Sequence, residues 1–274
     1  MITREDSDFN KIKVPEILFK YRDWKDEWHK KILTEGEVYL ARPDSFKDEL
    51  DCHIPRRYDL LTTRSIYNTY FEESKKNNPH FSRQQHRKFV RNWTKNTLVK
   101  DEKYVNQVEN EFWSKFNVQF GVLSLTTDPL NIKMWEEYSI NHTGFCIGFD
   151  GKELIKFGGG GIVKYYDELP IINPFSFDCF QEIYSKLKKW EFEDEYRVYQ
   201  CNPKAYNDNW RKVTIDPMAM RKIIIGAKME ENDRKEIISI CRKRYPNAEI
   251  IQALFKNDVL EFNKVEKFVE YEVC

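Results

Sequence analysis

Short runs of strand character recur along the sequence, separated by stretches with helical spacing, and this interleaving constrains the fold more than any other feature. The clearest case is "RKIIIGAKM", "ENDRKEIISICRKRYP" and "AEIIQALF", which read as strand, helix and strand. Upstream, "EILFKYR" reads as a first strand, "DEWHKKILTEG" as an amphipathic helix stopped by Gly36, and "EVYLARPDSF" as a second strand closed by Pro43. "FGVLSLTTD" and "FCIGFD" flank a short helix in "PLNIKMWEEYSINHTG". "GGGGIVKYYD" enters a strand through a glycine-rich turn, and "FDCFQEIYSKLKKW" places Phe177, Phe180, Ile183, Tyr184 and Leu187 at helical spacing. A last strand is expected over "VEKFVEYEV". The expected class is α+β. No internal repeat or low-complexity linker divides the chain, and one domain is expected, with a mainly helical insertion at about 52–119 that breaks near Pro79.

At 274 residues with 41% apolar content, the chain can bury a sizeable core. Lys+Arg and Asp+Glu balance at 45 each, so net charge exerts no global pull toward nucleic acid or membrane. No apolar run approaches the roughly 20 residues of a membrane helix. The opening "MITREDSDFNKIKV" has no apolar signal core, so a cytoplasmic protein with no membrane partner is expected. Cys52, Cys146, Cys179, Cys201, Cys241 and Cys274 form no CxxC pair, which argues against a zinc cluster or a disulfide scaffold. Cys146 and Cys241 read as core thiols.

Five features bear on chemistry. "WEFEDEYRVYQ" crowds carboxylates at the mouth of a strand. On an extended segment Glu193 and Glu195 share a face with Arg197, and one of two adjacent carboxylates becomes easier to protonate. The plainer reading is a solvated acidic turn paired with Lys188, Lys189 and Arg197. Arg22 ends an apolar strand beside Tyr21, which suits a phosphate or a planar ring, or a surface arginine. Ser124, Thr126 and Thr127 close a strand, and Trp135 and Tyr138 lie three apart on a helix with His142 beyond. Hydroxyls with two rings line a pocket for a flat ligand, or the rings are core. Gly158–Gly161 lacks phosphate-loop spacing and reads as a mobile turn. From Lys75 to Lys100 there are eight Lys or Arg and no Asp or Glu, with Phe81, Phe89 and Trp93 interleaved. Arg83, Arg87, Lys88, Arg91 and Trp93 are the candidates to grip a nucleic-acid strand; the alternative is a solvated helical face.

"LFKYR", "VYLARPDSFKDELD", "LSLTTDPLNIKMWEEYSINHTGFCIGFD", "KLKKWEFEDEYRVY" and "KIIIGAK" occur in an order that resembles the signature blocks of the DUF2971 family. That family is similar to the ADP-ribosyltransferase superfamily, with members in bacterial phage-defence and toxin–antitoxin settings. The resemblance implies split, twisted β-sheets with NAD in the cleft, NAD as co-substrate and no metal. It implies Arg22 as the first catalytic element and Glu193-x-Glu195 as the last. The middle element stays open between Ser124 with Thr126 and Tyr138. NAD would meet Tyr21, Arg22, Ser124, Thr126, Trp135 and Tyr138. Glu195 would stabilise the oxocarbenium-like ribose, and Glu193 would orient or deprotonate the acceptor. The expected function is a toxin-like ADP-ribosyltransferase, with RNA favoured as acceptor and an antitoxin protein as a further partner. The alternatives are a protein acceptor, an NAD glycohydrolase and a non-catalytic nucleic-acid-binding module.

Overall fold

Asp26 begins the first helix because its carboxylate accepts from the backbone N–H groups of Trp28 and His29, satisfying donors that the helix leaves unpaired. Similar local signals punctuate the rest of the computed structural model, which describes residues 14–176, 179–257 and 259–265. The first third holds β1 (Ile17–Arg22), α1 (Glu27–Thr34), β2 (Glu37–Tyr39), then α2 (Thr63–Asn77), α3 (Arg83–Lys95) and α4 (Glu102–Gln119). Ser and Thr capping boxes at Thr62 and Ser82 start α2 and α3, and Asp101 caps α4. The middle holds β3 (Phe120–Thr126), α5 (Ile132–Tyr138), β4 (Phe145–Asp150), α6 (Gly151–Leu154), β5 (Gly159–Ile162) and β6 (Lys164–Tyr166). The last third holds α7 (Phe180–Tyr184), β7 (Ser185–Leu187), β8 (Glu195–Cys201), β9 (Lys212–Thr214), β10 (Met220–Ile225), α8 (Glu231–Arg244), β11 (Glu249–Lys256) and β12 (Val259–Lys264).

The class is α+β. Eight strands form one mixed sheet in the order β12-β11-β10-β4-β1-β3-β8-β5, and β2-β9 and β6-β7 form two small pairs. The strand–helix–strand unit expected near the C-terminal end is present: β10 and β11 run parallel with α8 as the crossover. β1 pairs with β4 along its whole length, from Ile17↔Asp150 to Arg22↔Phe145. With β3 it pairs at one position, Phe19↔Thr126. Beyond that point the two strands diverge, and β3 takes Ala41 as its partner at Val122 instead. Expected as a split pair, the strands are here joined in one sheet whose weakest seam lies between β1 and β3.

The main core lies on one face of this sheet. Leu18, Phe145, Ile147, Phe149, Ile223 and Ile225 pack against Ile32 and Leu33 of α1 and Ile237 and Cys241 of α8. A second cluster on Phe19, Tyr21, Cys146, Ile224 and Ile251 takes in Trp135 of α5. Cys146 and Cys241 are core residues, as expected.

Three expectations need correction. The helix expected over "FDCFQEIYSKLKKW" is the short α7, followed by β7, which pairs in parallel with β6; Phe177 lies outside the described residues. The β-ladder overrides the helical spacing beyond Tyr184. The glycine run Gly158–Gly161 is not a turn for the most part, since Gly159–Ile162 forms an edge strand on β8. A Cβ at Gly159 would stand 2.4 Å from the Tyr199 ring, so close approach is the reason for glycine there. "WEFEDEYRVYQ" does not run extended throughout: Lys188–Glu193 is a 3-10 helix, and β8 begins at Glu195. Apart from Val265, the expected strand over "VEKFVEYEV" lies outside the described residues.

Candidate active site

Asp194 turns the chain between the two candidate carboxylates. Its φ of 40° and ψ of 57° put it in the left-handed region, which is costly for a residue with a Cβ and is held here by Thr127 Oγ1 donating to Asp194 Oδ2 at 2.7 Å. The consequence is that Glu193 and Glu195 face the same neighbour although they do not share an extended strand. That neighbour is Lys186 on β7, with Nζ 2.5 Å from Glu193 Oε2 and 3.3 Å from Glu195 Oε2. The same ammonium lies 3.1 Å from Asp51 Oδ2.

Arg197 completes the cluster. Its Nε donates to Glu195 Oε1 at 2.8 Å and its Nη2 to Glu195 Oε2 at 2.9 Å. Nη2 also reaches Asp51 Oδ2 at 2.9 Å, and Nη1 donates to the Ile183 carbonyl at 2.6 Å. Phe46 covers the guanidinium, with 5.3 Å from Cζ to the ring centre. None of the five charged side chains is more than 7% exposed. Three carboxyl groups thus share two cations in a buried space, and one negative charge is left over when all are ionised.

The environments of the two glutamates differ in kind. Burial alone raises the Glu195 carboxyl, but Arg197 and Lys186, together with the Ser124 hydroxyl, more than reverse it and hold the group well below the usual carboxylate range. Burial and the neighbouring Glu195 raise Glu193, and Lys186 and Tyr138 only partly offset them. Tyr138 Oη donates to Glu193 Oε1 at 2.5 Å, and burial with the Glu193 charge raises the phenol. The site therefore contains one fixed anion and one carboxyl that takes up a proton readily.

A cavity of about 220 Å³ opens onto this cluster where β1 and β3 diverge. Glu193, Glu195 and Lys186 form one wall, Arg22 and Ser124 the strand side, and Tyr138 with Phe46 the flanks. Arg22 also faces a second cavity of about 450 Å³, bounded by Trp28, His29, Tyr39 and Lys212. The two share Arg22 and Ala41. Burial brings the Arg22 guanidinium down to about 10, with only Asp26 opposing. The Arg22 side chain has no hydrogen bond or ion pair among the described residues, whereas Lys20, two positions earlier, donates to the Ser124 carbonyl at 2.6 Å. A half-buried guanidinium with no hydrogen-bonded counter-ion at the junction of two cavities is a seat for an anion.

Of the expected residues, Arg22, Ser124, Tyr138, Glu193 and Glu195 line one cavity, and Tyr21 contributes to its wall while its hydroxyl is used on the Asp128 carbonyl. Thr126 and Trp135 are not among its lining residues. Thr126 is fully buried, and its Oγ1 accepts from the Asp128 N–H at 3.3 Å. Trp135 is also fully buried, edge-on to Tyr21 and donating to the Pro129 carbonyl, so it is core and presents no face to a ligand. Of the partners expected for the acidic turn, Arg197 does hold Glu195, but the two lysines pair elsewhere. Lys188 pairs with Asp167 and Lys189 with Asp48, while Lys186 and Arg197 hold the glutamates. Lys186 and Asp51 are the functional candidates that sequence reasoning missed. The helical spacing through "KLKKW" hid Lys186, which would have been one of three similar lysines on a wet helix.

The candidate nucleic-acid residues lie together on α3. Arg83, Arg87 and Arg91 recur every four residues, and with Lys88 they are exposed and without ion-pair partners among the described residues. Trp93 is 41% exposed, packed on Phe89 and edge-on to Tyr70. It is therefore neither a free platform nor core.

Among the described residues no group of His, Cys, Asp and Glu is placed to hold a metal ion, and no helix is long and apolar enough to cross a membrane. Comparison with protein-family models, curated proteins and solved structures gave no match to this chain.

Proposed function

We propose that the chain breaks the nicotinamide–ribose bond of NAD and transfers ADP-ribose to an acceptor. The observation that carries this reading is the convergence of Arg22, Ser124, Glu193 and Glu195, from three separate strands and a turn, on one cavity where β1 and β3 diverge. The order of sequence blocks that resembles the DUF2971 family, and through it ADP-ribosyltransferases, supports the same assignment.

The charges suit the reaction. NAD enters with a cationic pyridinium, and with Glu193 ionised the three-carboxylate cluster carries one excess negative charge that attracts it. As the glycosidic bond breaks, the positive charge moves from the leaving nicotinamide to the ribose, and the fixed Glu195 carboxylate stabilises it there. The acceptor's nucleophilic atom then bonds to the anomeric carbon, and its proton passes to Glu193, whose raised proton affinity makes it the better base of the two. Arg197 holds Glu195 in place, with the Ser124 hydroxyl favouring its charged form, and Tyr138 orients Glu193. Arg22 receives the pyrophosphate, and the larger cavity beyond it, with the exposed Trp28 and Tyr39 rings, accommodates the rest of the dinucleotide. Together the cavities fall in the usual range of about 300–1,000 Å³ for a ligand site.

The exposed row on α3, free of acidic side chains, favours a nucleic acid, RNA first, as acceptor. Incubation with NAD labelled in the adenylate tests the whole reading. Label on RNA with release of nicotinamide is expected. Nicotinamide release with free ADP-ribose as the sole labelled product makes water the acceptor, label on protein changes the acceptor class, and no turnover refutes the enzyme.

A further inference from the structure

We propose that Lys186 is a positioning residue for the carboxylate pair: its ammonium, shared among Asp51, Glu193 and Glu195, is the principal cation of Glu193, and this sharing sets how readily Glu193 exchanges a proton with the cavity while the Arg197 fork keeps Glu195 a fixed anion. This rests on the proposed reaction for its catalytic consequence, although the charge arrangement itself does not depend on it.

The geometry is asymmetric in the required way. Glu195 has both oxygens engaged by the Arg197 fork, with Lys186 at 3.3 Å as an additional contact. Glu193 has no guanidinium. Its two oxygens meet one ammonium at 2.5 Å and one phenol. Lys186 is thus the principal cation of Glu193 but a supplementary one for Glu195. Asp51 competes for the same ammonium from the segment after β2, and it also competes for Arg197. A neutralised lysine would abandon three carboxyl groups at once; burial works against its charge, but Glu195, Asp51 and Glu193 together keep it protonated.

The remaining charged and titratable groups around Glu193 come from each packed element. α5 supplies Tyr138, with Lys47 over its ring at 5.4 Å. β6 supplies Tyr165, whose hydroxyl accepts from the Glu195 N–H at 2.9 Å. β1 supplies Lys20, which burial and Arg22 drive toward its neutral form. None of these stands between Glu193 and Lys186, so changing Lys186 or Asp51 acts directly on the pair.

Two substitutions then have opposite signs. Lys186→Met removes the cation, so Glu193 binds its proton more tightly. Asp51→Asn removes a competing anion and frees Lys186 and Arg197 for the glutamates, so Glu193 binds its proton less tightly. The direct measurement is a pH titration by NMR of protein labelled with ¹³C at the glutamate carboxyls, with Glu193 assigned by Glu193→Gln. The Glu193 midpoint is expected to rise by about 1–3 pH units in Lys186→Met and to fall in Asp51→Asn. Lys186→Arg should return it toward the wild-type value. In parallel, the acid limb of kcat/KM for nicotinamide release should move in the same two directions.

Midpoints that move the same way in both variants, or not at all, overturn the proposal. If Lys186→Met does not fold, the Lys186→Arg and Asp51→Asn pair still decides it, because only the latter should lower the Glu193 midpoint markedly. No nicotinamide release by the wild type, with Glu193 midpoints that still rise in Lys186→Met and fall in Asp51→Asn, refutes the reaction and leaves the charge partition standing.

Discussion

Arg197 grips Glu195 from two positions further along the same strand, Nε on one carboxylate oxygen at 2.8 Å and Nη2 on the other at 2.9 Å. Neighbours i and i+2 on a strand share a face, so this fork is local in sequence yet fully buried. Glu195 is consequently both the proposed electrostatic catalyst and a structural anion. Glu195→Gln should cut nicotinamide release by about 10²–10³-fold. It should also lower folding stability by about 3 kcal/mol or more, since a buried pair loses one partner. Nicotinamide-release kinetics beside a urea titration check both; wild-type turnover in the folded variant would remove Glu195 from the chemistry.

Arg22 should behave in the opposite way. Its side chain is half-buried at the cavity junction with no hydrogen bond or ion pair among the described residues, so the fold gains little from its charge. Arg22→Ala should weaken NAD binding by about 1.5–3 kcal/mol while leaving the melting temperature unchanged or higher. Arg22→Lys should lose less, because a point charge survives where the planar fork does not. Isothermal titration with NAD and thermal unfolding report the two effects separately, and equal affinity in wild type and the Ala variant would exclude Arg22 from the site.

What the sequence revealed of this site follows from how local each part is. Arg22 at the end of β1 and Glu195 at the start of β8 could be placed because strand ends are marked by short apolar runs. The joint position of Glu193 and Glu195 was anticipated for the wrong reason. Alternation on a strand predicts a shared face, but a 3-10 turn and the left-handed Asp194 produce it. Lys186 was hidden because a strand pairing with β6, which is non-local, replaces the helix that its own neighbours favour. Asp51 joins the cluster from 146 positions before Arg197, a separation no local pattern records. Trp135 had the same helical spacing whether core or cavity lining, and only the packing against Tyr21 decides for core.

That packing gives a contrast between two tryptophans. Trp135→Ala should cost about 3–5 kcal/mol of stability through the cavity it leaves in the second core cluster. Trp28 is 67% exposed on the wall of the larger cavity, and Trp28→Ala should leave stability nearly unchanged while weakening NAD binding. Urea unfolding and calorimetry on the two variants decide. A stable Trp135→Ala with lost affinity would restore Trp135 to the ligand site.

The glutamate pair also predicts a pH dependence of stability. Glu195 is held below its ordinary value of 4.5, so the stability it contributes is present above that pH and is lost as pH falls toward its folded value. Glu193 is raised above the same ordinary value, so its contribution is present below 4.5 and is lost as pH rises through its folded value. Glu193→Gln should therefore flatten the decline in stability above pH 4.5 and leave the acid loss below it in place. Urea midpoints measured across that range check the sign, and an unchanged slope above 4.5 would mean that Glu193 is not raised.

The acceptor can be tested on α3 without touching the cleft. Arg87, Lys88 and Arg91 are exposed and without ion-pair partners among the described residues, so replacing all three with Ala removes charge and little packing. If they hold RNA phosphates, affinity should fall similarly for every sequence, and the salt slope should flatten by about 0.7 per lost contact on a single strand. Trp93 needs a gentler change, because its ring also packs on Phe89 and Tyr70. Trp93→Phe keeps a ring in that cluster and should lose only part of the about 1–3 kcal/mol that a base stacked on tryptophan contributes. Nicotinamide release without acceptor should survive the triple replacement, since none of the three residues lines either cavity. Filter binding at several salt concentrations, run beside the release assay, separates the two functions. Unchanged affinity with an unchanged salt slope would make α3 a solvated face and move the acceptor to protein or water.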